Sequence, residues 1–221
     1  MSDIRRLFCA AADATAPLLL LTGTAQAARY DGPSALAEFS VRGLAGHLLR
    51  AMTSVEGYLD VGGAPAGPGP GVEPVTAAAY YATVLRSGPT DINDDLNRSV
   101  RQRGLEAAPG TAADLPAAWA ATTDRLRSRL AAEPAGRLVS VYGGIVLTLD
   151  DYLITRLVEL VVHGDDLAGS LGVEPPALDR DATGLVIATL VEVARIRHGD
   201  TAVVRALARR ERDPVGALRV L

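Results

Sequence analysis

LDDYLITRLVELVVHGDDLAGSL, residues 149–171, decides the fold. Its residues are apolar almost all round, as in a helix buried on every side. One stripe is different. Tyr152, Arg156, Glu159, His163 and Asp166 follow one another at steps of 4, 3, 4 and 3 residues. At about 3.6 residues per turn they share one face. A buried helix needs other helices around it, and an unpaired buried carboxylate is costly, so this polar stripe needs partners.

The rest of the chain supplies the surrounding helices. Residues 3–28 read as a first helix ending before Tyr30-Asp31-Gly32-Pro33, a turn-rich segment. Ser40 is a good N-cap for a second helix over about 41–60. Its apolar face is formed by Val41, Leu44, Ala45, Leu48, Met52, Val55 and Leu59. Gly43, Gly46 and Gly57 interrupt that helix. Each costs about 1 kcal/mol against Ala, and such glycines often admit a neighbouring backbone.

Residues 61–75 read as a loop, and helix resumes over 76–87. Thr90 and Asp91 start another helix reaching about residue 108. Thr111 with Asp114 resembles a capping box for a helix reaching Ala132. These pieces read equally as one long broken helix or as two short ones. Residues 137–147, β-branched around Gly143-Gly144, give a hairpin-type signal and are expected to form an extended excursion without a real sheet. Thr148 with Asp151 caps the 149–170 helix. After Gly172 and Pro175-Pro176, further helices are expected over 179–197 and about 201–211. The expected fold class is all-α: an up-down four-helix bundle, residues 1–172, with a C-terminal helical extension, residues 173–221.

Composition bounds the function. The chain has 221 residues, 48% of them hydrophobic and 22% charged, the profile of an ordinary globular protein. Net charge is −4, which leaves no basic footprint for nucleic acid. Cys9 is the single cysteine, so an internal disulfide and a Cys-based zinc cage are both excluded. A cytoplasmic home fits. The run APLLLLTGTAQAA, residues 16–28, has features of a signal peptide. It is short, however, and preceded by Asp13, so the bundle-helix reading is preferred. No apolar run approaches the ~20 residues of a membrane span.

Glu159 and His163 are four apart and can reach one ion from one helix. Carboxylate oxygen and imidazole nitrogen suit zinc, and such ligands recur in helical bundles. His47, midway along the second helix, is the natural third ligand, because the only other histidine besides His163 is His198. Three protein ligands leave room for water or substrate, the pattern of catalytic zinc. The plain alternatives are a hydrogen-bonded Glu159–His163 pair and a satisfied core histidine at position 47. His198, beside Gly199 and Asp200, reads as a partner of its helix C-terminus.

Two segments resemble a known family. EFSVRGLAGHLLRA, residues 38–51, resembles the W-x-V-x-x-L-x-x-H-L segment of the mycothiol-dependent maleylpyruvate isomerases. TLDDYLITRLVELVVHGDDLA, residues 148–168, resembles their R-x-x-E-x-x-x-H-x-x-D-L segment. The resemblance covers roughly residues 5–170 and implies a DinB/YfiT-like metal-binding bundle. It makes His47, Glu159 and His163 the ligands of one divalent ion, most simply zinc, and mycothiol the thiol cosubstrate. There are departures. Phe39-Ser40 stands where Trp and a polar residue are usual. The isomerase carries a further α+β domain, whereas about 50 mostly helical residues follow here.

The implied activity is metal- and thiol-dependent transfer to, or isomerisation of, a small electrophile. A non-catalytic metal-binding or small-molecule-binding bundle is the competing class, and a zinc hydrolase a weaker third. Arg156 and Asp166 are the candidate catalytic residues. Arg156 reads either as a clamp for a substrate carboxylate or, preferably, as the partner of an acid on its helix. Asp166 reads as fixing an imidazole tautomer or as solvating the helix end. Tyr152 reads as packing. The expected partner is a small-molecule substrate, with no nucleic acid and no membrane; the sequence also permits a homodimer.

Overall fold

The computed structural model describes residues 2–61, 73–84, 95–212 and 214–220. Four long helices form the bundle: α1 (Asp3–Gly23), α2 (Val41–Val61), α5 (Leu115–Ala132) and α6 (Leu149–Leu171). Each of α1 and α2 packs against both α5 and α6. Two shorter helices lie outside this ring. The first, α3 (Ala77–Val84), rests on α6 and on α7 (Arg180–His198); the second, α4 (Asp95–Ala107), packs along α2. The expected all-α architecture is what the chain adopts. Among the described residues the segment 76–132 holds three helices, not the one broken helix or two short ones expected, and α8 (Asp200–Ala208) and α9 (Val215–Leu218) complete the C-terminal part. The expected helix start at Thr90-Asp91 and most of the 61–75 loop lie outside the described residues.

The core is aliphatic, as an aromatic content of only 4% requires. Leu19, Leu44, Leu48, Leu126, Leu130 and Leu153 are fully buried around Phe8 and Trp119. Trp119 Nε1 donates to the Ala12 carbonyl at 3.1 Å, which satisfies its one polar atom. Val186 and Val193 of α7 belong to the same hydrophobic cluster, so the C-terminal helix closes one side of the bundle core. Arg5 fastens α1 to its neighbours. Its guanidinium donates to Asp150 Oδ1 at 2.9 Å and to the carbonyls of Leu130, Glu133 and Pro134 at the end of α5.

The capping residues behave unequally. Ser40 Oγ accepts from the Gly43 amide at 3.0 Å and starts α2 as expected. Thr148 Oγ1 accepts from the Asp151 amide at 3.0 Å. Asp151 Oδ1 in turn accepts from the Ala77 amide at 3.1 Å, tying the starts of α3 and α6 together. Replacing Thr148 by Ala should lower unfolding free energy by about 1 kcal/mol, read by urea titration. At Thr111 the expected box does not form. The Thr111 hydroxyl donates to the Asp114 carboxylate at 2.6 Å, and a 3-10 turn, Ala112–Asp114, intervenes before α5. Pro116 sits in the first turn of α5, where its missing N–H is harmless.

Two further expectations need correction. The first helix stops at Gly23 instead of 28, and Ala27–Arg29 forms a separate 3-10 turn. The 137–147 segment is a real, if minimal, antiparallel ladder. Strands β1 (Leu138–Ser140) and β2 (Val146–Thr148) pair with Val139 opposite Leu147. Gly143 and Gly144 turn the chain at φ 77° and 75°, a region that side chains disfavour. Val139 and Leu147 drop into the core at 2% and 0% exposure, which holds the pairing in place. The Val75 amide adds to it by donating to the Val146 carbonyl. Among the described residues, no helix is long and apolar enough to cross a membrane.

Candidate metal centre

The polar stripe of α6 faces α2 and α3. His47 Nε2 lies 2.8 Å from Glu159 Oε2, and His163 Nε2 lies 3.3 Å from the same oxygen. The two imidazole rings meet edge to face with centroids 4.7 Å apart. One ligand atom from each of His47, Glu159 and His163 falls within 4.8 Å of the others, the one such cluster among the described residues. Bonds of 2.0–2.1 Å to a tetrahedral ion put neighbouring donors roughly 3.3 Å apart. The donor types suit zinc; the His163–Glu159 spacing matches that value, and the shorter His47–Glu159 spacing is that of a hydrogen bond, which an ion would replace.

Neighbouring groups hold each of these side chains differently. His163 Nδ1 lies 2.9 Å from Asp166 Oδ2, a contact that directs Nε2 toward Glu159. His47 Nδ1 is buried with no partner. The difference shows in the proton affinities. Burial lowers the pKa of His47, and its hydrogen bond to Glu159 does not make up the loss. Burial pushes His163 down too, but hydrogen bonds to Asp166 and Glu159 outweigh it and raise its pKa to about 9. Burial alone would raise Glu159; the two imidazoles and Arg156 instead hold it well below the usual carboxylate range. These surroundings favour the charged forms of His163 and Glu159 and the neutral form of His47.

The second carboxylate oxygen is taken. The Tyr81 hydroxyl proton is shared between the Thr155 carbonyl at 2.9 Å and Glu159 Oε1 at 3.2 Å. Arg156 Nη2 stands 3.6 Å from the same Oε1. Its Nε donates to Thr155 Oγ1 at 3.1 Å, and its guanidinium lies 5.0 Å above the Tyr152 ring. Tyr152 donates its own hydroxyl to Ser54 Oγ at 2.9 Å. With Oε1 engaged, Glu159 presents Oε2 alone to the two histidines. Tyr81 is the residue that sequence reading overlooked. It lies in the apolar run AAAYYATV, and its partner is 78 residues away, so no helical spacing marks it. Tyr81→Phe should weaken zinc affinity by about 10- to 100-fold, the range typical of removing a partner of a metal ligand. Competition with a chromophoric chelator measures it.

The structure leaves two other candidates apart. Cys9 is buried within α1, and burial raises the pKa of its thiol. His198 ends α7, distant in sequence from the other histidines, in the last turn as expected.

No curated protein and no solved structure matches this chain significantly. A family model does, over residues 11–168, a stretch holding His47, Tyr81, Arg156, Glu159, His163 and Asp166. The mostly helical architecture agrees with the DinB-like bundle of that family. On this match over most of its length, the chain belongs to the family of the mycothiol maleylpyruvate isomerase N-terminal domain.

Proposed function

We propose that the protein is a metal-dependent enzyme that uses an external low-molecular-weight thiol, mycothiol, for transfer to or isomerisation of a small electrophile. The observation that carries this reading is the ligand count at Glu159. Two histidines and one carboxylate oxygen face a common point, while Tyr81 and Arg156 occupy the other oxygen. A monodentate Glu159 leaves a coordination position for an exogenous ligand, which a closed structural site would lack. His47, Glu159 and His163 retain 13%, 15% and 21% of their side-chain exposure, which supports an approach from solvent.

A bound zinc ion lowers the pKa of a coordinated thiol and supplies a thiolate at neutral pH. The chain offers no such thiol itself, because its single cysteine is buried in α1. In the proposed reaction the sulfur adds to an electrophilic carbon and a C–S bond forms. The displaced π electrons move onto the substrate's electron-withdrawing group. Expulsion of the thiolate after bond rotation returns an isomer, whereas protonation of the adduct gives a conjugate. Asp166 orients His163 throughout, and Arg156 keeps the free oxygen of Glu159 engaged. A small-molecule substrate and a cytoplasmic location go with this reading.

The test is thiol consumption by zinc-loaded protein, with mycothiol and a panel of small electrophiles that includes maleylpyruvate. Metal-dependent conversion of at least one electrophile is expected, and it should vanish in His163→Ala. If no member of the panel reacts faster with the zinc-loaded protein than without it, the enzyme reading is wrong.

A further inference from the structure

Two hydrogen-bonded contacts join α2 to α6: His47 with Glu159, and Ser54 with Tyr152. Each pair of anchors is seven residues apart on its own helix, and they run in opposite directions. Between them, Arg50 on α2 comes opposite Arg156 on α6. A third guanidinium enters from α4. Gly104 lies so close to α2 that a Cβ there would sit 3.4 Å from His47 Cβ, and Arg103 is its neighbour in sequence. The three are near enough that the charges of Arg103 and Arg156 disfavour protonation of Arg50, after burial itself.

Like charges gathered at a half-buried place repel, and proteins normally set carboxylates among them. Here the compensation is thin. Arg156 has Glu159, which both histidines also share. Among the described residues Arg103 has a hydrogen bond to the Ser99 hydroxyl and no carboxylate partner, and its Nε is buried without an acceptor. Arg50 has no hydrogen bond and no carboxylate among the described residues. Guanidinium groups are suited to paired hydrogen bonds with planar or tetrahedral oxyanions.

We propose that Arg50 and Arg103 form an oxyanion-binding subsite beside the His47–Glu159–His163 centre, which takes a carboxylate or phosphate group of the substrate. Arg156 forms its back wall and stays paired with Glu159. The substrate role rests on the thiol-transfer reading above; the anion binding does not. The subsite places the charged end of a ligand one helical turn along α2 from His47, so an electrophilic carbon a few bonds away would lie at the metal centre.

The experiment separates the two claims. Chelator-treated, ion-free protein is titrated at low salt with inorganic phosphate and, separately, with succinate, by calorimetry. Saturable binding of at least one anion is expected, and the stronger of the two identifies the group. Arg50→Gln and Arg103→Gln should each weaken it by at least about tenfold, the loss expected for one charge-assisted hydrogen bond. Arg50→Lys keeps the charge but not the paired donors and should bind between Arg50→Gln and the unsubstituted protein; an unchanged urea unfolding midpoint of Arg50→Gln excludes misfolding as the cause. Wild-type affinity in Arg50→Gln, or no binding of either anion to the unsubstituted protein, overturns the subsite. If anion binding follows this pattern while no thiol is consumed, the subsite stands and the enzyme reading falls.

Discussion

Glu159→Ala should abolish stoichiometric zinc binding and destabilise the ion-free protein as well. Oε2 is the oxygen that both His47 and His163 face, so its loss leaves two imidazoles and no anion to neutralise the ion. Affinity should fall by more than about 100-fold, because loss of a supporting partner alone reaches that figure. The stability effect comes from Arg156. Its guanidinium side chain is 11% exposed, and Glu159 is the carboxylate against it. Removing one member of a buried pair costs about 3–5 kcal/mol. Elemental analysis after dialysis reads the first effect, and urea unfolding in the presence of chelator reads the second. His47→Ala and His163→Ala should share the loss of zinc. Cys9→Ser should retain full occupancy, since the thiol lies buried in α1.

Gly46→Ala should be the most damaging single-methyl insertion on α2. An added Cβ would lie 2.0 Å from the Gly104 carbonyl oxygen and 2.8 Å from Ala108. The obstacle is backbone, so no side-chain rotation relieves it, and α4 must move away from α2. Overpacking of this kind costs about 1–3 kcal/mol or more. Because His47 is the next residue, zinc affinity should fall along with stability. Gly57→Ala on the same helix is the contrast. Nothing lies within 4 Å of a Cβ there, so the change should be neutral or stabilise by up to about 1 kcal/mol. Equal destabilisation by the two substitutions would contradict the close α2–α4 approach.

The two glycines show how far the sequence could be read. Close approach of some backbone to α2 was expected from Gly43, Gly46 and Gly57; Gly57 has nothing near it, and nothing in the spacing of the other two names Gly104 as the partner. The stripe on α6 was legible because helical periodicity alone aligns Arg156, Glu159, His163 and Asp166. His47 was legible by scarcity, since the chain has three histidines. Tyr81 was not, because its role is a contact between helices that no local pattern encodes. The hairpin failed for a related reason. Gly143-Gly144 announced a turn, yet the ladder depends on burial of Val139 and Leu147 and on Val75 arriving from far upstream. At Thr111 the capping residues were right and their hydrogen bond was not: a 3-10 turn intervenes before α5, and the hydroxyl donates to Asp114 without accepting from the backbone.

The proposed open coordination position, with Glu159 binding through one oxygen, is tested most directly in the cobalt-substituted protein. Cobalt takes the place of zinc, and its spectrum reports each ligand that joins. Titration with mycothiol, or with a simple thiol, should produce a sulfur-to-metal charge-transfer band that saturates at one equivalent bound per ion. The band should be absent from His163→Ala, which cannot hold the ion. A spectrum unchanged at saturating thiol, in protein shown to contain one cobalt per chain, would mean that the shell is closed and the bundle merely binds its metal.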